Sequence, residues 1–379
     1  MKSEVKRPQG GPRRIVYFDL LRAFAPLAVI LIHVCPNAAK MGGISSTDTA
    51  DFVLANTLQL MQRWAVPVFL MMSGALFLNP KKPFSYKKHF KKYVWRLVLV
   101  YIFWSFIYAV VSALINFGPG EGRLAFFLRL FCGAHYYHLW YLIALVMMYL
   151  LVPILRKVTE DRRLLDYYLI IGIVICFALP MIGDLCEIIL AGVKGLNPAI
   201  VGAMKGVMDM TEYPAGKLCL YFAVYFVLGY FLHTERLTKF TRVTLYVLGA
   251  VALVDAILLS QIKFRLLGHS WSGASEENIN ILMLTYSVAI FVGAKYALRK
   301  VRDLPKWIKS MAKYSFGIYL CHALFVDYVM YYPKRPSIIP VGHRKLELLL
   351  YLGASLAIYA ACFCITWVMS RIPVLKKFV

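Results

Sequence analysis

Apolar runs of about 18 to 25 residues recur from one end of this chain to the other, and each is long enough to cross roughly 30 Å of hydrocarbon as a helix. They lie near residues 15–35, 53–78, 95–117, 138–155, 166–182, 217–233, 243–260, 278–298, 314–332 and 345–370. Inside a bilayer the backbone has no water to bond, so runs of this kind are restricted to helices that satisfy their own polar groups. The composition fits: 60% of the residues are hydrophobic and 16% are charged, a balance that soluble domains seldom reach. The expected fold class is all-α, a polytopic membrane protein of about ten transmembrane helices.

The net charge of +24 raises the question of a nucleic-acid partner. Its distribution argues for topology instead. Of the 43 Lys and Arg, 27 fall on alternate connections counted from the N-terminal tail, and 10 on the intervening ones. The positive-inside rule then places both termini in the cytoplasm and leaves no role for nucleic acid. Residues 1–14 read as a basic cytoplasmic tail, 15–370 as a single transmembrane domain and 371–379 as a second cytoplasmic tail. The run "KKPFSYKKHFKKYVWR" at 81–96 becomes a cytoplasmic loop. It either sets topology beside anionic lipid or shares in binding an anionic cofactor. A cleaved signal peptide is not expected, because Asp19 and Arg22 interrupt the first apolar run. The connection 183–216 is the largest on the outer side, and its alternation of apolar clusters with Gly, Pro and charge suits either one or two short interfacial helices or an ordinary loop. The cysteines show no paired CxxC spacing and read as packing residues, so no metal is expected.

The first run, "RRIVYFDLLRAFAPLAVILIHV" at 13–34, carries Asp19, Arg22 and His33. Ionisable groups at bilayer depth cost about 2.5 to 3.5 kcal/mol each, so they usually face a cavity or one another. At 100° per residue, Arg22 and His33 lie about 20° apart around the helix, with Asp19 about 60° from Arg22. All three share one face, and His33 lies about 16 Å further along the axis than Arg22. That face lines something polar that runs across the membrane. Other polar groups collect on later helices. Arg63 precedes Pro67 and the close-packing pair Ser73-Gly74, "HYYHLWYL" brings His135, His138, Trp140 and Tyr141, and "YSFGIYLCHALFVD" brings Ser315, Tyr319, His322 and Asp327. Asp255 and Lys295 add further charge within the apolar runs.

Five stretches taken in order resemble the acyltransferase-3 family of bacterial integral membrane acyltransferases. They are "FDLLRAFAPLAVILIHV", "RWAVPVFLMMSGALFL", "WRLVLVYIFWSFIY", "HLWYL" and "YSFGIYLCHALF", and the likeness runs from about residue 13 to 370. Two departures qualify it: "VFLMM" stands where the family commonly has paired Phe, and no esterase-like extension follows the last helix. The chain therefore resembles stand-alone members.

The resemblance implies O-acylation of cell-envelope or exported carbohydrate in the bacterial plasma membrane, with acyl-CoA as donor and acetyl as the default group. Acyl transfer needs a base for the hydroxyl proton and donors for the oxyanion. His33 is the expected base, Arg22 lines the path of the pantetheine arm, and Asp19 is expected to hold Arg22. Arg96, Lys91 and Lys92 are candidate phosphate contacts, as guanidinium and ammonium groups bind phosphate well. Tyr319 and His322 are carried over to the donor site with the family motif. Arg63, His138 and Trp140, on the outer side, are the candidates for binding the glycan or other hydroxyl acceptor. The rival expectation is a transporter or flippase for a polysaccharide intermediate, which ten helices and a polar face would serve equally well.

Overall fold

A computed structural model describes residues 14–41, 49–115, 122, 124, 127–128, 136–212, 220–267, 280–331 and 344–379. His135 lies outside them. Among the described residues the secondary structure is entirely helical. The helices are α1 (Val16–Met41), α2 (Thr49–Gln62), α3 (Ala65–Phe77), α4 (Tyr86–His89), α5 (Trp95–Ile115), α6 (Trp140–Glu160) and α7 (Arg162–Ile173). They continue with α8 (Leu179–Gly192), α9 (Pro198–Glu212), α10 (Leu220–Thr234), α11 (Lys239–Leu267), α12 (Ile281–Ala297), α13 (Lys306–Tyr331) and α14 (Arg344–Met369). Wider π-helical turns, Phe90–Val94 and Val174–Ala178, join α4 to α5 and α7 to α8.

Seven of these segments are long and apolar enough to cross a membrane. They include the composite spans Val53–Phe77, Tyr86–Leu114 and Arg162–Gly192. The other three expected spans coincide with α10 and α12, which are apolar but short, and with the more polar α13. The stretch 183–216 differs from a plain loop: its first part extends the preceding span to Gly192, and α9 then packs back on α8.

The core is organised around α1, which touches α2, α3, α12, α13 and α14. In its most apolar window 72% of residues are buried, against 22% for α11, so α1 is interior and α11 faces outward. A helix with that placement can carry charge only where neighbours leave a cavity or supply partners. Helices α3 and α10 meet almost backbone to backbone. A Cβ on Gly74 would overlap the Phe226 carbonyl, and one on Gly229 would overlap the backbone of Met71. The small residues permit this approach, as is usual between helices in lipid.

Proline shapes the helices beside the cavity. Pro67 has no N–H to bond the Arg63 carbonyl, and the chain breaks between α2 and α3 at Arg63-Trp64. The Tyr286 hydroxyl of α12 repairs the break, donating to the Met61 carbonyl at 2.6 Å and accepting from the Trp64 N–H at 3.2 Å. Pro153 in α6 similarly frees the carbonyl four residues earlier, on Tyr149. His89 donates to that carbonyl at 2.8 Å. Lys295 caps the end of α10, donating to the carbonyls of Leu232, His233 and Glu235 at 2.7, 3.0 and 2.7 Å. The lysine that stood out as a charge within an apolar run therefore closes a helix terminus.

Candidate active site

A cavity of about 570 Å³ opens at the end of the bundle where α1 begins. Helix α1 contributes Phe18, Asp19 and Arg22, α3 contributes Phe69 and Ser73, and α6 contributes Tyr141 and Tyr149. Ser315 and Tyr319 of α13 form another wall. Arg14, Arg22, Arg96 and Lys313 face Asp19 as the one carboxylate side chain among the lining residues, so the cavity favours an anionic guest. The guanidinium of Arg22 also lies over the Phe18 ring, 5.9 Å from its centroid.

Beyond Tyr319 lies a group of three imidazoles drawn from three distant segments. The His33 and His322 rings are stacked with centroids 5.4 Å apart, and His138 meets His322 edge to face at 4.9 Å. Tyr137 lies 4.9 Å from His33 and donates its hydroxyl to Asp327 at 3.3 Å. Arg63 is buried in the α2–α3 break. Tyr319 joins the two regions. Its ring lines the cavity, lies 5.6 Å from His322, and its hydroxyl donates to the His138 carbonyl at 2.6 Å.

Hydrogen bonding fixes which nitrogens are available. A carbonyl oxygen only accepts, so His322 Nδ1, facing the Tyr319 carbonyl at 2.5 Å, carries a proton. In the neutral ring Nε2 then presents its lone pair, and among the described residues that buried atom has no partner. For His138 the assignment is reversed. Its Nε2 donates to the Leu320 carbonyl at 3.3 Å, and the buried Nδ1 has no partner among the described residues. Two imidazole lone pairs therefore sit in one small volume, positioned to accept from a hydroxyl or amine.

The expected residues divide between these regions. Asp19, Arg22, Arg96 and Tyr319 line the cavity, whereas His33, Arg63, His138 and His322 do not. His322, expected with the donor contacts, stands beside His33 instead. Among the described residues the Asp19 carboxylate forms its ion pair with Arg14, at 3.6 Å, and lines the cavity together with Arg22. Lys91 and Lys92 are exposed on the π-helical turn and line no part of the cavity, since that turn aims Tyr93 inward. Arg96 lines the mouth but donates to the carbonyls of Lys377 and Val379 at 3.4 and 3.1 Å, holding the C-terminal residues against α5. Phe378 completes that contact by stacking on Phe103, with centroids 4.3 Å apart. Trp140 is half-buried and stacks on Phe222 of α10, with centroids 5.5 Å apart. Sequence reasoning missed Arg14, Tyr149 and Tyr137. It also read Ser315, Tyr319 and His322 separately, although their i, i+4, i+7 spacing puts them on one stripe.

Residues 15–371 match the acyltransferase-3 family, whose description is "Acyltransferase domain". A curated protein of Enterococcus faecalis, an amino-acid racemase, is 23% identical over 317 residues, covering 81% of this chain. The alignment takes in 40% of that relative, so the chain spans about two fifths of the length of the curated protein it matches. No solved structure matches the chain. Because the family match runs through every helix that builds the cavity and the histidine group, from the first residues of α1 to the end of α14, the chain belongs to the acyltransferase-3 family of membrane acyltransferases.

Proposed function

We propose that this multi-pass protein moves an acyl group, acetyl by default, from acyl-CoA at the cytoplasmic face to a hydroxyl of a cell-envelope or exported carbohydrate. Ten crossings are read from the apolar runs, both termini inside the cell from the charge distribution, and a bacterial plasma membrane from the family likeness, and these complete the reading. The observation that carries it is the junction of a cationic cavity with two buried imidazoles presenting lone pairs, made through Tyr319, which lines the cavity and lies 5.6 Å from His322.

In this reading the pantetheine arm enters past Arg22 and brings the thioester towards Tyr319. The acceptor hydroxyl gives its proton to the His33–His322 pair, and its oxygen attacks the thioester carbon. The C–S bond then breaks, the ester C–O bond remains, and the proton passes to the departing thiolate. Arg63 donates to developing negative charge, and His138, whose bare Nδ1 can only accept, orients the acceptor hydroxyl. The racemase name of the enterococcal relative supplies a second acceptor class, an amino acid offering a hydroxyl or amine to the same imidazoles.

Protein reconstituted in liposomes with labelled acetyl-CoA tests this directly. Label is expected to move onto an envelope glycan, or onto a hydroxy amino acid if that class is the acceptor, and His33→Ala should abolish transfer at unchanged insertion. If acetyl-CoA neither stabilises the protein nor is consumed while a glycan intermediate crosses the membrane, the transporter reading takes its place.

A further inference from the structure

A second recess of about 620 Å³ adjoins the first, between the start of α1 and the connection from α12 to α13. Its charged lining is Arg14, Asp19, Arg299, Lys300, Arg302 and Asp303. Both carboxylates are engaged: Asp19 with Arg14 at 3.6 Å, and Asp303 with Lys309 at 2.6 Å. Among the described residues no carboxylate forms an ion pair with Arg299, Lys300 or Arg302. Three exposed cations therefore converge on a concave surface with their charge unmatched.

We propose that this recess binds phosphate esters. Guanidinium groups bind phosphate oxygens in a fixed fork, and two of them flanking an ammonium suit a group carrying two negative charges. Arg14 and Asp19 line both cavities, so a ligand with phosphates in the recess can extend its uncharged arm along Arg22. The phosphate-bearing nucleotide end of the acyl donor fits that arrangement, and in this respect the inference rests on the donor reading above. The run at 81–92 offers more lysines, yet none of them lines either recess. Concavity, which the sequence does not display, separates the two basic segments. A phospholipid headgroup presents the same phosphate chemistry, so the test must tell the two sources apart.

Intact protein in nanodiscs of neutral phosphatidylcholine is titrated with CoA, and in a second arm with vesicles containing phosphatidylglycerol. Wild type is compared with Arg299→Glu/Arg302→Glu and with the milder Arg299→Gln/Arg302→Gln. A rise of 30-fold or more in the CoA dissociation constant for the charge-reversed protein, and a smaller rise for the neutral one, supports the recess with the donor as its ligand. If wild type binds CoA and both variants bind it equally well, while affinity for phosphatidylglycerol collapses, the recess still binds phosphate but its source is lipid. Equal binding of both ligands by all three proteins overturns the inference. Failure of wild type to bind CoA at all counts against the donor reading, and the lipid arm then decides the recess.

Discussion

The cavity at the start of α1 and the histidine group beyond Tyr319 share one helix and one polar face, yet they are built on opposite principles. The cavity is open and lined by Arg14, Arg22, Arg96 and Lys313, whose long side chains act mainly through charge. In the histidine group His138 and His322 are buried, the rings are held by stacking and by one carbonyl bond each on those two, and their remaining nitrogen is left bare. Charge at the mouth suits capture of an anionic donor, and an oriented imidazole in a closed space suits moving a proton. On the proposed reading binding and chemistry are separated along α1, with Arg22 and His33 about 16 Å apart at 1.5 Å per residue.

The sharpest way to break this division is through His322. Its replacement by Ala removes the bare Nε2 while leaving every cavity-lining residue in place. We expect kcat to fall by about 10²- to 10⁴-fold, the usual worth of general acid–base catalysis, with little change in donor KM. A steady-state comparison with wild type in proteoliposomes would show it. A variant that keeps kcat and raises donor KM instead would return His322 to the donor site and erase the contrast.

Arg22→Ala probes the other region and should act the other way. Losing one charge-assisted contact costs about 1.5 to 3 kcal/mol, which corresponds to a rise of roughly 10- to 100-fold in donor KM. Arg22→Lys should recover part of it, because charge survives while the planar fork does not. If both substitutions lower kcat at constant KM, Arg22 acts on the reacting atoms and the cavity is more than a binding site.

How much of this was legible in the sequence depends on whether a property is local. The all-helical class, the membrane spans and the shared face of Asp19, Arg22 and His33 follow from hydropathy and a 100° period, and helix α1 appears as expected over most of its length. Ser73-Gly74 likewise announced close packing, found against α10. What could not be read was contact between segments far apart in the chain. His138 and His322 are 184 positions apart in sequence and meet where the residues before α6 pack on α13, with the Tyr319 hydroxyl of α13 donating to the His138 carbonyl. The capture of Arg96 by the residues after α14 is another such outcome, whereas the pairing of Asp19 with Arg14, five residues away, is local and turns on which nearby cation lies closest. Spacing places side chains around one helix but does not say which of several cations a folded mouth brings closest.

A buried histidine outside the group gives the smallest effect on activity and the cleanest control. His89 is buried among Phe77, Phe84, Tyr93 and Tyr149, and by residue type alone it is as good a candidate as His138. Its Nε2 is already committed to the Tyr149 carbonyl, which Pro153 leaves without its helical partner. Breaking that bond by His89→Ala exposes an unsatisfied acceptor and a small void, costing about 1 to 3 kcal/mol of stability. Thermal unfolding in detergent should therefore shift downward while kcat and KM at a permissive temperature stay within about twofold of wild type, a margin below half a kcal/mol. His89→Gln, which can still donate to the carbonyl, should recover much of the lost stability. A large fall in kcat for His89→Ala at normal stability would mean that a histidine outside the His33–His138–His322 group also handles protons, and the boundary between the two regions would have to be redrawn around Tyr149.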